Sequence, residues 1–277
     1  MHFLWFRPVL LASMVAGTAA LGGCASATHK PTDPAEAENN DPYESVNRKM
    51  WAADMALDRY LLKPIAITYR DHTPQMVQTS VTNVLRNLRG PTIMLNDLLQ
   101  GNPDRAVTTF ARLTINTLFG LGGIMDLATK AKIPFHDSDF GQTLGVWGFG
   151  TGPYLVLPLL GPSDPRDGIG YGVDSFADVF SIKMHAHGVD EANYARLGGS
   201  IISDRAASID QLDAVQKESL DFYAAIRSLY LQQRAAAVAT AKADGTPPAP
   251  DISGDVINPG ETVSKVPAHT VSGQKPN

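Results

Sequence analysis

Between Phe140 and Ser163 the chain runs 24 residues without a charged side chain, yet six of them are Gly and three are Pro. Such a segment is too apolar to be a solvated loop. It is also too rich in helix breakers to be a spanning helix, which needs about 20 uninterrupted apolar residues. Tyr154–Leu160 within it reads as an extended piece, but Pro158 would cost a ladder hydrogen bond, so little or no sheet is predicted. The rest of the chain must therefore build the body, and it must accommodate a flexible apolar backbone within it.

Helical periodicity supplies that body. Asp41-Pro42-Tyr43-Glu44 reads as a helix start with Asp41 as N-cap, and Val46, Met50, Ala53, Leu57 and Leu61 follow as one apolar stripe. Pro64 and Pro74 punctuate the chain, after which Val77, Val81, Val84, Leu85 and Leu88 resume the pattern. Gly90-Pro91 is predicted to end that helix, with a short one over Thr92–Gln100 stopping at Gly101. Asn102-Pro103-Asp104 starts another, whose inner face reads Ala106, Phe110, Leu113 and Thr117. From Ser200 to Asp244 there is neither Gly nor Pro, and a long helix or helical pair is predicted. The fold class is all-α, one helical domain over 41–244, and the Pro- and Gly-rich 245–277 reads as a disordered tail.

With 23 Lys and Arg against 28 Asp and Glu, the chain carries a formal charge of −5 and lacks the basic footprint of a nucleic-acid binder. Cys24 is the single cysteine, which rules out an internal disulfide and any multi-cysteine metal site. Its position is informative. Pro8–Leu21 is an apolar run too short to span a bilayer, and it ends in Leu21-Gly22-Gly23-Cys24, which resembles a bacterial lipobox. Residues 1–23 then read as a lipoprotein signal peptide, Cys24 as the lipidated residue, and the polar 24–40 as a flexible tether. Acyl chains on Cys24 make a membrane surface the first partner, at about 0.8 kcal/mol per buried methylene. Ala25 rather than Asp follows, which points by resemblance to the outer membrane.

No local pattern argues for catalysis. There is no Gly-x-Ser-x-Gly, no His-Glu-x-x-His and no Walker loop. Gly120-Leu121-Gly122-Gly123 has the wrong spacing for a dinucleotide loop and follows a helical stripe, so it reads as a helix break. His185-Ala186-His187 reads as an exposed pair, and His136, Asp137 and Asp139 lack the pattern of a calcium loop. No cofactor and no metal is expected.

One series of motifs is more specific. Asp139-Phe140-Gly141-Gln142-Thr143-Leu144-Gly145-Val146-Trp147-Gly148-Phe149-Gly150-Thr151-Gly152-Pro153-Tyr154 and the residues on to Ser163 resemble the signature of the MlaA/VacJ family of outer-membrane lipoproteins. Asp41-Pro42-Tyr43-Glu44 with Asn47-Arg48, Leu62-Lys63-Pro64, Asn87-Leu88, Leu98-Leu99-Gln100-Gly101, Gly122-Gly123-Ile124-Met125-Asp126 and Arg166-Asp167 with Asp174 are similar to it in the same order. Trp51-Ala52-Ala53-Asp54 departs from the family's usual aromatic-x-aromatic-Asn, and Gln78 and Leu113 stand where Arg and Phe are common.

The resemblance implies a ring-shaped all-α body in the inner leaflet of the outer membrane, around a central amphipathic channel. It implies removal of phospholipid that has strayed into the outer leaflet, transfer to a soluble periplasmic lipid carrier, and association with a trimeric porin. Beside it we read Gly141–Gly152 as a wall of the lipid path. The polar groups of the path or their braces are then Asn47, Arg48, Asp126, Asp139, Gln142, Arg166 and Asp167, with Gly141, Gly145, Trp147, Gly148, Gly150 and Gly152 in the wall. Trp147 and Tyr154 fit either an interfacial anchor or plain core. Two rivals stand beside the channel: a porin-scaffolding lipoprotein that moves no lipid, and a lipid hydrolase with Thr143, Ser163 or Ser175 as nucleophile.

Overall fold

A computed structural model describes residues 41–243. Cys24, the signal peptide, the tether and the tail predicted above lie outside the described residues. The chain runs α1 (Glu44–Leu57), a π-helical segment (Asp58–Leu62), α2 (Lys63–His72), α3 (Gln75–Leu99), α4 (Pro103–Leu118), α5 (Leu127–Lys130) and α6 (Phe140–Val146). A hairpin of β1 (Leu155–Leu157) and β2 (Gly161–Ser163) follows, then α7 (Pro165–Ala177), α8 (Val179–Ala186), α9 (Asp190–Ala207), α10 (Ile209–Glu218) and α11 (Phe222–Lys242). The all-α class holds, and the expected minimal sheet is this one antiparallel pair, in register Leu155 to Ser163 and Leu157 to Gly161. Pro158 escapes the ladder because it sits in the turn between the strands.

Contacts between elements close into a circuit. α1 packs on β1, β2 on α11, α11 on α6, α6 on α3, α3 on α9, α9 on α2, and α2 returns through the π segment to α1. The first and last helices thus meet across the hairpin, which is a ring-like arrangement rather than a bundle around one core.

Several boundaries differ from the sequence reading, each for a local reason. Asp41 is not an N-cap: helix α1 starts at Glu44, and the Asp41 carboxylate is buried among partners from α1 and α11. Pro64 does not interrupt the chain. Proline lacks an N–H and crowds the carbonyl one turn back, and the looser π turn just before it, closed by the Lys63 N–H on the Asp58 carbonyl, accommodates both effects. Gly90-Pro91 does not end a helix either; α3 runs through it to Leu99. A proline in a helix interior costs about 3 kcal/mol, and the packing of α3 on α4 offsets it, with Gly90 so close that an added Cβ would lie 3.1 Å from Leu113. Gly101 does stop α3: its φ is +73°, and the Asn102 N–H reaches back to the Asp97 carbonyl in a Schellman closure. The stretch from 200 to 243 divides without any Gly or Pro into the end of α9, α10 and α11: the chain breaks at Ser208, whose hydroxyl donates back to the Arg205 carbonyl, and at Ser219-Leu220-Asp221, where Asp221 caps α11.

The faces differ most. In α4 the buried residues are Arg105, Ala106, Thr109, Arg112 and Asn116, whereas Phe110, predicted inward, is 57% exposed. In α1 Val46 and Met50 are exposed and Asn47 is the buried residue. Among the described residues ten apolar side chains are buried against nineteen polar or charged ones, so hydrophobic burial alone does not assemble this body. Small apolar clusters do exist, Ala66 with Ala206 and Ile209, and Tyr154 with Val156 and Tyr223. Leu98, Val107, Phe110, Leu118, Phe119, Leu121 and Phe176 point outward, an exposed apolar surface that water alone would not favour. No helix among the described residues is long and apolar enough to cross a membrane.

Candidate functional site

The polar residues singled out from sequence form three separate braces. In the first, Asn47 on α1 donates to Asp41 Oδ1 (2.7 Å) and to the Tyr154 carbonyl (2.9 Å), and its Oδ1 accepts the Val156 N–H (3.0 Å). Asp41 also accepts from the Tyr223 hydroxyl and from Arg227. Arg48 pairs with Glu44 and Asp221, its guanidinium 4.5 Å over the Tyr223 ring. One amide therefore ties α1, the hairpin and α11 together.

The second brace surrounds the start of the uncharged stretch. Asp139 caps α6 by accepting the Gln142 N–H (2.8 Å) and takes a bidentate contact from Arg234 on α11 (2.7 and 2.9 Å). Arg234 continues to Asp167, which also accepts from the Tyr230 hydroxyl (2.6 Å) and from Arg166 (3.2 Å). Burial pushes the Asp139 carboxyl up, but the Arg234 contact and the Gln142 bonds outweigh it and hold it below the usual carboxylate range. Asp164 caps α7 and is more deeply buried; burial and the neighbouring Asp167 raise it to about 6.

Gly141 and Gly145 sit inside this brace, not on an open wall. A Cβ on Gly141 would lie 2.6 Å from Asp167 Oδ1, and one on Gly145 would lie 2.7 Å from Val238 of α11. Gly170 of α7 faces the Gly141 backbone at 2.3 Å from an added Cβ. The first half of the stretch is thus a buried helix in a close three-helix crossing, which corrects its reading as flexible. Gln142 is buried and bonds to Asp139. Trp147 ends α6 half-exposed, its indole N–H on the Leu99 carbonyl (2.9 Å). Only Gly148, Gly150 and Gly152 lie in an exposed loop, with positive φ at Gly148 and Gly152.

The third brace belongs to Asp126, the cap of α5, which accepts from Arg112 (2.8 Å), Asn116 (3.0 Å) and Thr129 (2.6 Å). Gly120–Gly123 forms the tight turn leading there, as expected of a helix break. His185 and His187 are exposed, while His136 is buried with Asp97 (2.8 Å) and Thr109. No group of side chains able to hold a metal occurs among the described residues.

A further space lies elsewhere on the circuit. A cavity of about 380 Å³ is enclosed by α1, the π segment, the hairpin tip, Arg205 of α9, α10 and α11. Its apolar lining includes Trp51, Met55, Leu160, Leu212, Phe222 and Ile226. Ion pairs stitch its wall: Arg205 with Asp58 (2.6 and 2.9 Å) and Lys63 with Asp213 (2.7 and 2.9 Å). Asp54 accepts the Leu159 N–H (3.0 Å) and so holds the hairpin tip against α1. None of the path residues chosen from sequence lines this cavity. The signal for it was present, since α11 carries apolar Phe222 and Ile226 on one side and Tyr223, Arg227, Tyr230 and Arg234 at helical spacing on another. Nothing local reveals that the apolar side faces a hollow.

A helical circuit braced by buried ion pairs, with leucines and phenylalanines turned outward and an apolar-lined hollow between its helices, differs from a domain folded around one apolar core. Residues 39–237 match the family model of the MlaA lipoprotein, and the chain belongs to that family. It is 35% identical over 227 residues to the intermembrane phospholipid transport system lipoprotein MlaA of Escherichia coli K12, spanning 80% of this chain and 86% of that protein. The protein of the same name from Haemophilus influenzae is 32% identical over 216 residues, 77% of this chain and 84% of its own length. A solved structure described as the structural basis for maintenance of bacterial outer membrane lipid asymmetry superposes with a TM-score of 0.63 at 32% identity, over 72% of this chain and 98% of that one.

Proposed function

We propose that this protein is an outer-membrane lipoprotein that withdraws misplaced phospholipid from the outer leaflet and passes it to a soluble periplasmic carrier, in association with a trimeric porin. The reading rests on the cavity of about 380 Å³, whose apolar lining suits acyl chains and whose ion-paired wall suits a polar headgroup. The relatives' role in intermembrane phospholipid transport supports it. Seating of the body in the inner leaflet is supported by the outward leucines and phenylalanines of α3, α4 and α7.

The protein acts by binding and release, without covalent chemistry. The candidate hydroxyl nucleophiles are engaged in local bonds: Thr143 donates to Asn96, Ser163 to the Asp164 carbonyl and Ser175 to the Tyr171 carbonyl, and among the described residues none of them is hydrogen-bonded to a histidine.

The test is phospholipid exposure in the outer leaflet of a deletion strain complemented with wild type or with Met55→Trp/Leu212→Trp, which fills the cavity. Exposure restored by wild type but not by the filled variant, at equal membrane and porin association, is the expected result. Restoration by both leaves a scaffold without transport. Free fatty acid released by the purified protein would make it a hydrolase.

A further inference from the structure

Among the described residues the cavity wall holds one cation that no carboxylate neutralises. Lys63 and Arg205 are each held bidentately by an aspartate, but Arg59 lines the same space with no hydrogen bond or ion pair among the described residues. It is carried on the π segment, which brings Asp58 and Arg59 together onto the cavity wall, and π turns recur where a helix is modified for function. Its neighbour Asp58 is bound by Arg205, and Asp54 accepts the Leu159 N–H through Oδ1 and leaves its buried Oδ2 without a partner, so neither carboxylate pairs with Arg59.

We propose that Arg59 is the headgroup-recognising residue of this cavity. It donates two parallel N–H bonds to the phosphodiester of a glycerophospholipid whose acyl chain occupies the apolar lining. A guanidinium matches two phosphate oxygens at once, and it gains most where its own side chain is not already committed. The proposal rests on the transport reading above and names the chemical group the cavity selects: phosphate diester with chains, in preference to the same chains without phosphate.

The experiment uses the purified full-length lipoprotein and vesicles of dioleoylphosphatidylethanolamine. Each vesicle preparation carries a trace of either fluorescent phosphatidylglycerol or fluorescent diacylglycerol with the same chains, and lipid taken up by the protein is measured. Wild type is expected to favour the phosphatidylglycerol. Arg59→Ala is expected to lose on the order of tenfold of that preference with diacylglycerol uptake unchanged, and Arg59→Lys to recover part of it. Because Arg59 is exposed and makes no hydrogen bond or ion pair among the described residues, its variants should keep the wild-type unfolding temperature. A preference that survives Arg59→Ala overturns the proposal while leaving the cavity intact as a lipid site. If excess inorganic phosphate abolishes uptake of phosphatidylglycerol, the residue serves free phosphate and the lipid assignment falls. If wild type takes up neither lipid, or takes up both as well after Leu212→Trp, the transport reading fails first.

Discussion

Two glycines on one helix should respond to the same substitution with opposite sign. Gly170 and Gly172 both lie within α7, where alanine is favoured over glycine by about 1 kcal/mol of backbone entropy. At Gly172 an added Cβ meets nothing within 4 Å, so Gly172→Ala should realise most of that gain. At Gly170 the same atom would lie 2.3 Å from the Gly141 amide nitrogen and 2.6 Å from its Cα, which are backbone atoms with no rotamer to yield. Helix α7 must then move off α6, and overpacking of this kind costs about 1–3 kcal/mol or more. The net loss is roughly 1–2 kcal/mol, and a domain of this size shifts by about 2–4 °C per kcal/mol. Thermal unfolding of the full chain in detergent, followed by far-UV circular dichroism, should place Gly170→Ala about 2–8 °C below wild type. Gly172→Ala should lie one to a few degrees above it, by about the propensity gain. If Gly170→Ala unfolds no earlier than Gly172→Ala, the three-helix crossing is not held by absent side chains and the account of Gly141 fails with it.

Further outcomes follow from the braces. Asn47→Ala leaves the Asp41 carboxylate, the Tyr154 carbonyl and the Val156 N–H short of a partner, and should cost about 2–4 kcal/mol in denaturant unfolding, with proteolysis appearing first at the hairpin. Asp126→Ala strips the buried Arg112 of its counter-charge and should cost roughly 3 kcal/mol, more than Asp126→Asn, which keeps the α5 cap. Asp164, raised to about 6 against an ordinary 3.8, favours folding when protonated; its contribution is fully present below about 3.8 and lost as pH rises through about 6. Asp164→Asn should therefore gain on wild type in unfolding temperature as pH rises from 4 to 7. A flat difference across that range would show that the carboxyl is not held protonated by its burial. Asp139 and Asp126, held low, contribute above the ordinary carboxylate value and lose that contribution as pH falls through their lowered values, in both proteins alike.

What the sequence made legible was local. The Asn102-Pro103 start of α4, the Gly101 stop of α3 and the Gly120–Gly123 break are settled by caps and by backbone conformations that only a few residues adopt, and these were read correctly. Pro64 and Gly90-Pro91 were misread because a proline's cost can be offset by a π turn or by a packed neighbour, neither of which is visible along the chain. On α4 the apolar stripe is only half right: Ala106 is buried and Leu113 packs on Gly90, whereas Phe110 and Thr117 face outward, because a stripe tells which residues leave water together, not whether they meet protein or lipid. Asp139 and Asp167 were singled out without their partners, since Arg234 lies 95 and 67 residues away. The two-faced pattern of α11 is visible in the sequence, but the cavity it faces is not, being bounded by segments from both ends of the chain.

That α1 is closed onto α11, directly through Trp51 and Arg48 as well as across the hairpin, bears on the order in which the protein assembles. Asp41 is made early and waits for Tyr223 and Arg227, 182 and 186 residues later, and Arg48 waits for Asp221. During export from the amino end, no earlier segment can finish the circuit on its behalf, and such distant contacts form slowly. A chain cut before α11 would keep most of its helices yet leave Asp41 and Asp139 without their cations at once and Asp167 with Arg166 alone. Loss of the last helix should therefore resemble failure to fold rather than a shortened protein, and the late arrival of α11 is the step at which quality control in the cell envelope has an open ring to recognise.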